Sequence, residues 1–348
     1  MTVDPSLFTT PVTKQERTAF KQRFYPKNTP FGLNYVSWFL FLGGAVLLLL
    51  WGWSTYSYDD SQMQHTAGLV LIGFGCIPLI ALLFIVLTFR KKINRSVKIY
   101  KFGTANGLKY DFMVKNPVRN GLIFSNPGTK QSYIYDSISR FGERPFEIGN
   151  YYFQTQSSYR RASQAHLYGF MRIQLDRNLP HMVLDATSDD IKLPGIRLSR
   201  LGATFAKDQV LKLEGNFNDY FTLYAPKEYE TDALYVFTPD LMAHFIDRVN
   251  TYNAEIIDNN LYIYSLRPFF LDKPETFERL FAILDTVGLK ALKQTDNYRD
   301  TRSEVSGMVA TSGRRLKRGI SATVIITIVV IIVVNVAENF EAIQQLFR

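Results

Sequence analysis

The chain contains 348 residues, of which 47% are hydrophobic, and it carries a formal net charge of +9. The positive excess lies outside the central region, because residues 102–313 hold 24 Lys and Arg against 25 Asp and Glu. A nucleic-acid-binding domain concentrates cations on the surface that meets the phosphates, so this distribution excludes nucleic acid as a partner.

Three apolar stretches without a charged residue divide the chain: 36–56, 67–89 and 320–336, with 21, 23 and 17 residues. A helix rises about 1.5 Å per residue and the hydrocarbon core of a bilayer is about 30 Å thick. The third stretch is rich in β-branched residues, so a buried strand is its alternative, but it is about twice the usual strand length. The sequence therefore predicts three transmembrane helices.

The cations beside these stretches predict their orientation. The first 33 residues carry five Lys and Arg, whereas the connection 57–66 carries none. Lys and Arg next to membrane helices are retained in the cytoplasm. We therefore expect a multi-pass protein of the cytoplasmic membrane, with its N-terminus and main domain cytoplasmic.

Two basic strips flank the main domain and are the candidate lipid-contacting residues. They comprise Arg90, Lys91, Lys92 and Arg95 after the second stretch, and Arg314, Arg315, Lys317 and Arg318 before the third. Such strips attract anionic lipid by about 1 kcal/mol per residue near the surface. The simpler interpretation is that they only fix the topology.

The predicted organisation has six parts in chain order. They are a cytoplasmic segment 1–33, a helical hairpin 34–89, a cytoplasmic α+β domain 90–290, a polar and basic tether 291–318, a third span 319–336 and an outer tail 337–348.

Within the central domain, aromatic and β-branched runs predict strands, and capping signals predict helices. The second span is expected to continue over 97–107 and to stop at Gly107. Thr238 followed by Pro239 predicts a helix start, and a second helix is expected over 274–286, closed by Gly288. The predicted strands are 151–155, 169–175, 181–185, 221–224 and 261–265.

The search for catalytic motifs leaves one candidate pair. The sequence contains no phosphate-binding glycine loop, no paired CxxC and no HExxH, and its single Cys76 lies in the second span. No metal site and no cofactor are predicted. If 180–186 is a strand, His181 and Asp185 share one face, where they could act as a base with an orienting carboxylate. The favoured alternative is that His181 ends a surface strand.

Four stretches of the chain form recognisable motifs: FGTANGLKY (102–110), GNYYFQT (149–155), YGFMRIQLDRNLPHMVLDA (168–186) and LEGNFNDYFTLYAPKEYETDALYVFTPDLMAHFID (213–247). They resemble a family of uncharacterised bacterial integral membrane proteins found in actinobacteria and related lineages. The resemblance covers most of 97–265 and the preceding helix pair. It implies a membrane anchor with a cytoplasmic domain of unknown function, and it assigns no catalytic residue.

These observations predict a membrane-anchored cytoplasmic binding or scaffold protein. Its expected partners are the lipid bilayer and either other membrane proteins or further copies of itself. Two alternatives remain open: a membrane-bound enzyme with a site near His181 and Asp185, and a module that senses anionic lipid through the basic strips.

Overall fold

The computed structural model describes residues 4, 6–25, 35–58, 62–126, 128–156, 163–193, 196–198, 203–319, 328 and 330–335. The chain divides into two compact units. One is Pro5–Phe102, and the other is Gly103–Arg348 together with Met1–Asp4.

The first unit is helical. Its helices are α1 (Ser6–Thr9), α2 (Lys14–Phe24), α3 (Tyr35–Tyr58) and α4 (Gln62–Ala105), the last three residues of which belong to the second unit. α2 begins with a capping box, in which the Thr13 hydroxyl accepts from the Glu16 N–H and the Glu16 carboxylate accepts from the Thr13 N–H.

Glycine allows α3 and the first half of α4 to pack closely as antiparallel helices. A Cβ added at Gly52 would lie 2.8 Å from the Ile72 backbone nitrogen, and one at Gly75 would lie 2.7 Å from the Leu49 side chain. Gly43, by contrast, has no neighbour within 4 Å. The close approach therefore needs Gly52 and Gly75, as small-residue helix interfaces do.

The prediction of three transmembrane helices is wrong on this structure. Among the described residues, one helix is long and apolar enough to be a candidate membrane span, namely Met63–Ala105 within α4. α3 ends in a run of Trp, Ser, Thr and Tyr at 51–58, so its described side chains are less uniformly apolar than those of 67–89. Most of the third predicted span, 320–336, and the tail 337–348 lie outside the described residues.

α2 packs against the cationic end of α4. The Phe20 ring lies 6.0 Å from the Tyr100 ring, and Lys101 Nζ lies 2.9 Å from Glu16 Oε1. The Arg17 guanidinium donates to the Asn94 side chain at 3.3 Å. The short N-terminal helix is thus fixed to the part of α4 that follows its apolar stretch.

The second unit is built on an antiparallel sheet. Its strands are β1 (Lys109–Lys115), β2 (Thr129–Arg140), β3 (Phe146–Gln156), β4 (Ser163–Ala186), β7 (Val210–Leu211), β8 (Phe221–Tyr224) and β9 (Asn253–Ser265); β5 (Ile191–Leu193) and β6 (Ile196–Leu198) form a separate hairpin. The strand order is β1-β2-β3-β4-β8-β7, and β9 pairs with the opposite edge of β4. The long strand β4 therefore joins all parts of the sheet.

Helices cover one face of this sheet. They are α5 (Phe217–Tyr220), α6 (Glu230–Val236), α7 (Pro239–Val249), α8 (Pro274–Ile283) and α9 (Leu289–Thr295), with a π-helical turn Leu284–Gly288 between α8 and α9. A further short helix, α10 (Thr311–Arg314), contacts β4. On this face the Phe146 and Phe281 rings meet edge to face, and Gly288 approaches Ile173. The opposite face carries Phe170, Val183 and Tyr264, and the candidate site lies there.

The α+β character of the domain is confirmed, and the predicted strands lie within observed ones. The segments 169–175 and 181–185 belong to the single strand β4, with register shifts between them. Thr238 caps α7, as predicted. Gly288 does not close the helix that begins at Pro274, because the chain continues helically into α9. β1 and β2 were not predicted.

The segment 291–318, expected to be a polar and basic tether, packs on the sheet domain instead. It contains most of α9 and all of α10, and its Tyr298 hydroxyl donates to Asp232 at 2.7 Å. Tyr229 donates to Asp300 at 2.7 Å, and Asp300 accepts from the Ala310 N–H at 2.8 Å. These hydrogen bonds fix the segment at several points along its length.

Candidate functional site

The centre of the candidate site is a buried histidine and glutamate on neighbouring strands. Glu255 on β9 pairs in register with Val183, two positions from His181 on β4. This register places both side chains on the face opposite the helices. His181 Nε2 lies 2.8 Å from Glu255 Oε1, and the two residues are 5% and 1% exposed.

Two further donors complete the environment of Glu255. The Tyr264 hydroxyl and the Leu122 N–H each donate to Glu255 Oε2 at 2.6 Å. Burial and the neighbouring Glu255 carboxylate raise the pKa of Tyr264 well above its ordinary value, so its hydroxyl keeps its proton. Gly121 is required here, because a Cβ at this position would collide with the Tyr264 hydroxyl.

The hydrogen bonds also define the state of the imidazole. The Leu316 backbone N–H donates to His181 Nδ1 at 2.9 Å, so Nδ1 is the acceptor and Nε2 carries the proton donated to Glu255. Both ring nitrogens are occupied by protein groups. This arrangement holds two chain segments against the sheet, and it offers neither a free base nor a free acid to a substrate.

An ion-pair cluster lies beside Glu255 on the same face. Arg119 binds both carboxylate oxygens of Glu147 at 3.0 Å, and Arg172 Nε lies 3.4 Å from Glu147 Oε2. Burial lowers the pKa of Arg119, but the hydrogen bonds to Glu147 outweigh it, and the net shift is upward. Arg119 therefore stays charged and holds the loop before Leu122 on the sheet.

An outer chain of polar contacts extends the cluster to the surface. The Tyr262 hydroxyl donates to Asn120 at 2.8 Å, and the Asn120 amide donates to Asp258 at 2.6 Å. The Arg315 guanidinium completes the chain with contacts of 2.9 and 3.2 Å to the two oxygens of Asp258. Partial burial raises the pKa of Asp258, but the bonds from Arg315 and Asn120 outweigh it and lower the pKa overall.

We call residues 315–319 the C-terminal strap. It lies beside residues 204–209, with Arg318 paired to Phe205 in an antiparallel bridge. The Lys317 N–H donates to Gln209 Oε1 at 2.9 Å. The Lys317 carbonyl accepts from Gln209 Nε2 at 2.9 Å and from the Ala206 N–H at 3.1 Å. The Gly319 N–H donates to the Thr204 carbonyl at 2.9 Å. The Leu316 side chain, 6% exposed, enters the core cluster.

The structure places His181 and Asp185 on the same strand face but does not bring them together. Four residues of extended chain separate their Cα atoms by about 13 Å. Asp185 is 6% exposed and lies near Tyr224, whose pKa is raised by burial and by the Asp185 charge. The group that orients His181 is Glu255, and His181 is buried rather than at the surface end of a strand.

The basic strips fall in different units and in different environments. Arg90, Lys91 and Lys92 are exposed on α4, and Arg95 is partly exposed. In the second strip, the Arg314 side chain donates to the Val309 carbonyl, Arg315 pairs with Asp258, Lys317 is exposed, and the Arg318 guanidinium lies 5.5 Å over the Phe205 ring. Arg314, Arg315 and Arg318 thus interact with the sheet domain itself.

Sequence reasoning missed Glu255, Asp258 and Tyr264. The available signal was a single glutamate among the apolar residues Ala254, Ile256 and Ile257, because a lone acid in a buried strand needs donors. Among the described residues, no group of three or more His, Cys, Asp or Glu side chains is placed to hold a metal ion.

Comparisons with known proteins identify no family. No family model matches the chain, and no curated protein matches it. Among solved structures, the chain is similar to the crystal structure of the mycobacterial trehalose monomycolate transport factor A, TtfA. The TM-score is 0.34 at 9% sequence identity, over 58% of this chain and 93% of that chain. A likeness of this size carries no inference about function.

Proposed function

We propose that the chain is a membrane-anchored binding protein whose sheet domain is held beside the bilayer by α4. The observation that carries the proposal is the continuity of this helix over 44 residues. It is apolar over 67–89, cationic from Arg90 and ends directly before β1. A helix of this length extends about 66 Å, whereas a bilayer core takes about 20 residues of it.

The exposed surface of α4 supports the anchor. Phe74, Ile77, Ile80 and Phe84 are each 61–67% exposed. Transfer of such a side chain from water to an apolar environment is favourable by about 1.5–3 kcal/mol. A row of them on one helix is therefore costly in water and favourable in lipid.

The contacts of α2 support an orientation. Because α2 packs on the cationic end of α4, the N-terminal helix lies on the side of the membrane to which that end projects. Clustered Lys and Arg favour the cytoplasm. We infer that both the N-terminal helix and the sheet domain are cytoplasmic.

A binding role fits the chemistry of the domain better than catalysis does. The buried groups His181 and Glu255 are fully engaged in holding chain segments on the sheet. An anchored domain also encounters membrane partners at a high effective concentration, so modest contacts suffice.

Two measurements test this function. After carbonate extraction of cell membranes, the tagged wild-type chain should stay in the membrane pellet. A variant with Ile80→Lys and Phe84→Lys should be released into the supernatant. Crosslinking in cells followed by affinity capture should recover one dominant, stoichiometric partner. Quantitative release of the wild-type chain by carbonate would refute the anchor, and recovery of the bait alone would refute a protein-binding role.

A second candidate function, contact with anionic lipid, is favoured by the cations around the end of α4. Exposed Arg90, Lys91 and Lys92 follow the apolar stretch, and the docked α2 adds exposed Lys21 and Arg23. Native mass spectrometry of the purified chain should show retained anionic phospholipid.

Neutralising Arg90, Lys91 and Lys92 to Gln should reduce that retention. A matched control neutralises Lys207, Lys212 and Lys227 on the sheet domain, which are also exposed. Equal retention in both triple variants would count against a lipid-binding role for the α4 cations.

A further inference from the structure

The groove that holds the C-terminal strap contacts it at every position. Arg315 meets a carboxylate, the Leu316 side chain enters the core, and both backbone groups of Lys317 are bonded. Arg318 forms the bridge to Phe205, and the Gly319 N–H is bonded to Thr204. One wall, residues 204–209, runs antiparallel to the strap, as in the addition of a peptide strand.

The strap is chemically unlike the core it covers. Four of the six residues in 314–319 are Arg or Lys, and Leu316 is the single apolar anchor. The Arg315 side chain stays 53% exposed although it is paired with Asp258. Such a segment buries little apolar surface, so its local opening requires less free energy than unfolding of the sheet.

We propose that this groove is a peptide-binding site, occupied in cis by the chain's own strap. Its ligand is an extended basic segment of a partner protein, with an Arg directly followed by a Leu. Asp258 recognises the arginine, the apolar cluster around Phe205 takes the leucine, and residues 204–209 pair with the backbone. The strap then acts as an intramolecular competitor. This inference rests on the proposed binding role and names the class of partner.

Competition has a measurable consequence. A ligand for a site that is open only part of the time binds with an affinity reduced by the open fraction. Weakening the strap without altering the groove should therefore tighten peptide binding. Two variants weaken it differently: Leu316→Ser removes the apolar anchor, and Lys317→Pro removes the N–H that donates to Gln209.

The experiment uses the full chain in detergent and a fluorescent peptide, Arg-Arg-Leu-Lys-Arg-Gly. We expect both strap variants to bind it at least about tenfold more tightly than the wild type. Adding Asp258→Asn to either variant should reverse most of this gain, and a peptide with Asp in place of Leu should not bind. Equal affinity for wild type and both strap variants, or no effect of Asp258→Asn, would overturn the proposal.

Hydrogen exchange of the wild-type chain provides the second readout. The amides of Leu316, Lys317 and Gly319 should exchange faster than those of β4 and β9, and peptide should accelerate them further. Protection equal to that of the sheet would show that the strap is a permanent part of the core and overturn the proposal. Neither readout depends on membrane attachment, so a failure here is distinguishable from a failure of the anchor.

Discussion

Leu316 donates its backbone N–H to His181 Nδ1 at 2.9 Å, although 135 positions separate the two residues. The same imidazole donates through Nε2 to Glu255. One histidine thus connects the C-terminal strap to the centre of the sheet.

Replacing His181 should destabilise the domain more than its volume suggests. His181→Ala leaves the Leu316 N–H and one oxygen of Glu255 without their partner, and an unsatisfied buried group costs about 1–3 kcal/mol. The free energy of unfolding from denaturant titration checks this. His244→Ala, at a half-exposed position on α7, is the control and should stay within about 0.5 kcal/mol. Equal losses in the two variants would contradict the role of His181.

The domain should lose stability at alkaline pH. Burial and Glu255 raise the pKa of Tyr264, so in the folded state its hydroxyl stays protonated above the ordinary pKa near 10. The contribution of Tyr264 to the free energy of unfolding is complete below pH 10 and falls as pH rises further. It falls because the unfolded chain then ionises this tyrosine and the folded chain does not.

The measurement is the denaturant midpoint between pH 8 and pH 11 for the wild type and for Tyr264→Phe. The variant should be less stable at pH 8, by about 1–2 kcal/mol for the lost hydrogen bond. It should also show a shallower alkaline decline. If the denaturant midpoint falls equally steeply with pH in both proteins, Tyr264 does not contribute to the alkaline loss of stability.

Gly121→Ala should displace the loop that supplies the Leu122 N–H. The added methyl would collide with the Tyr264 hydroxyl, so either the loop or the ring must move and a bond to Glu255 is lost. We expect a loss of about 2 kcal/mol or more in unfolding free energy. Gly103→Ala is the control, since its nearest neighbour, the Ile138 side chain, lies at an ordinary 3.5 Å. A Gly121 variant as stable as this control would contradict the geometry.

The contact between α3 and α4 in the first unit allows a matched pair of substitutions. Gly52→Leu should force α3 away from α4, because even a Cβ there meets backbone atoms of Gly68 and Ile72. Gly43→Leu adds the same side chain where nothing lies within 4 Å. The melting temperature of the full chain in detergent should fall for Gly52→Leu and not for Gly43→Leu.

The sequence predicted correctly those features that depend only on interactions between neighbouring residues. The helix cap at Thr238 and the stop at Gly107 require only neighbouring residues, and both were found. The segments 169–175 and 181–185 were correctly predicted to be strands. Their union in the single strand β4 was not predicted, because it depends on pairing with β9, far away in the chain.

The candidate site was predictable only in part. His181 was selected for its residue type and position on a strand face. Its partner was expected four residues along the same strand, at Asp185, whereas the register of β9 supplies Glu255 instead. A pattern of period two identifies residues on one face, but it does not identify which strand lies alongside. The cations of the strap were interpreted as fixing the membrane topology. The hydrogen bonds of the strap to Gln209 could not be predicted, because no pattern of neighbouring residues indicates them.

The position of the strap in the chain has a consequence for synthesis. β4 and its His181 leave the ribosome long before Leu316 does, and the apolar stretch of α4 leaves earlier still. Asp258, the last groove residue to be made, precedes Leu316 by 58 positions. At a synthesis rate of about 5–20 residues per second, the groove therefore waits about 3–12 seconds for the strap. During that interval the Phe205 wall and the Asp258 carboxylate are open. A chaperone or an early partner would meet the groove unoccupied, at the one stage when no competition from the chain itself is possible.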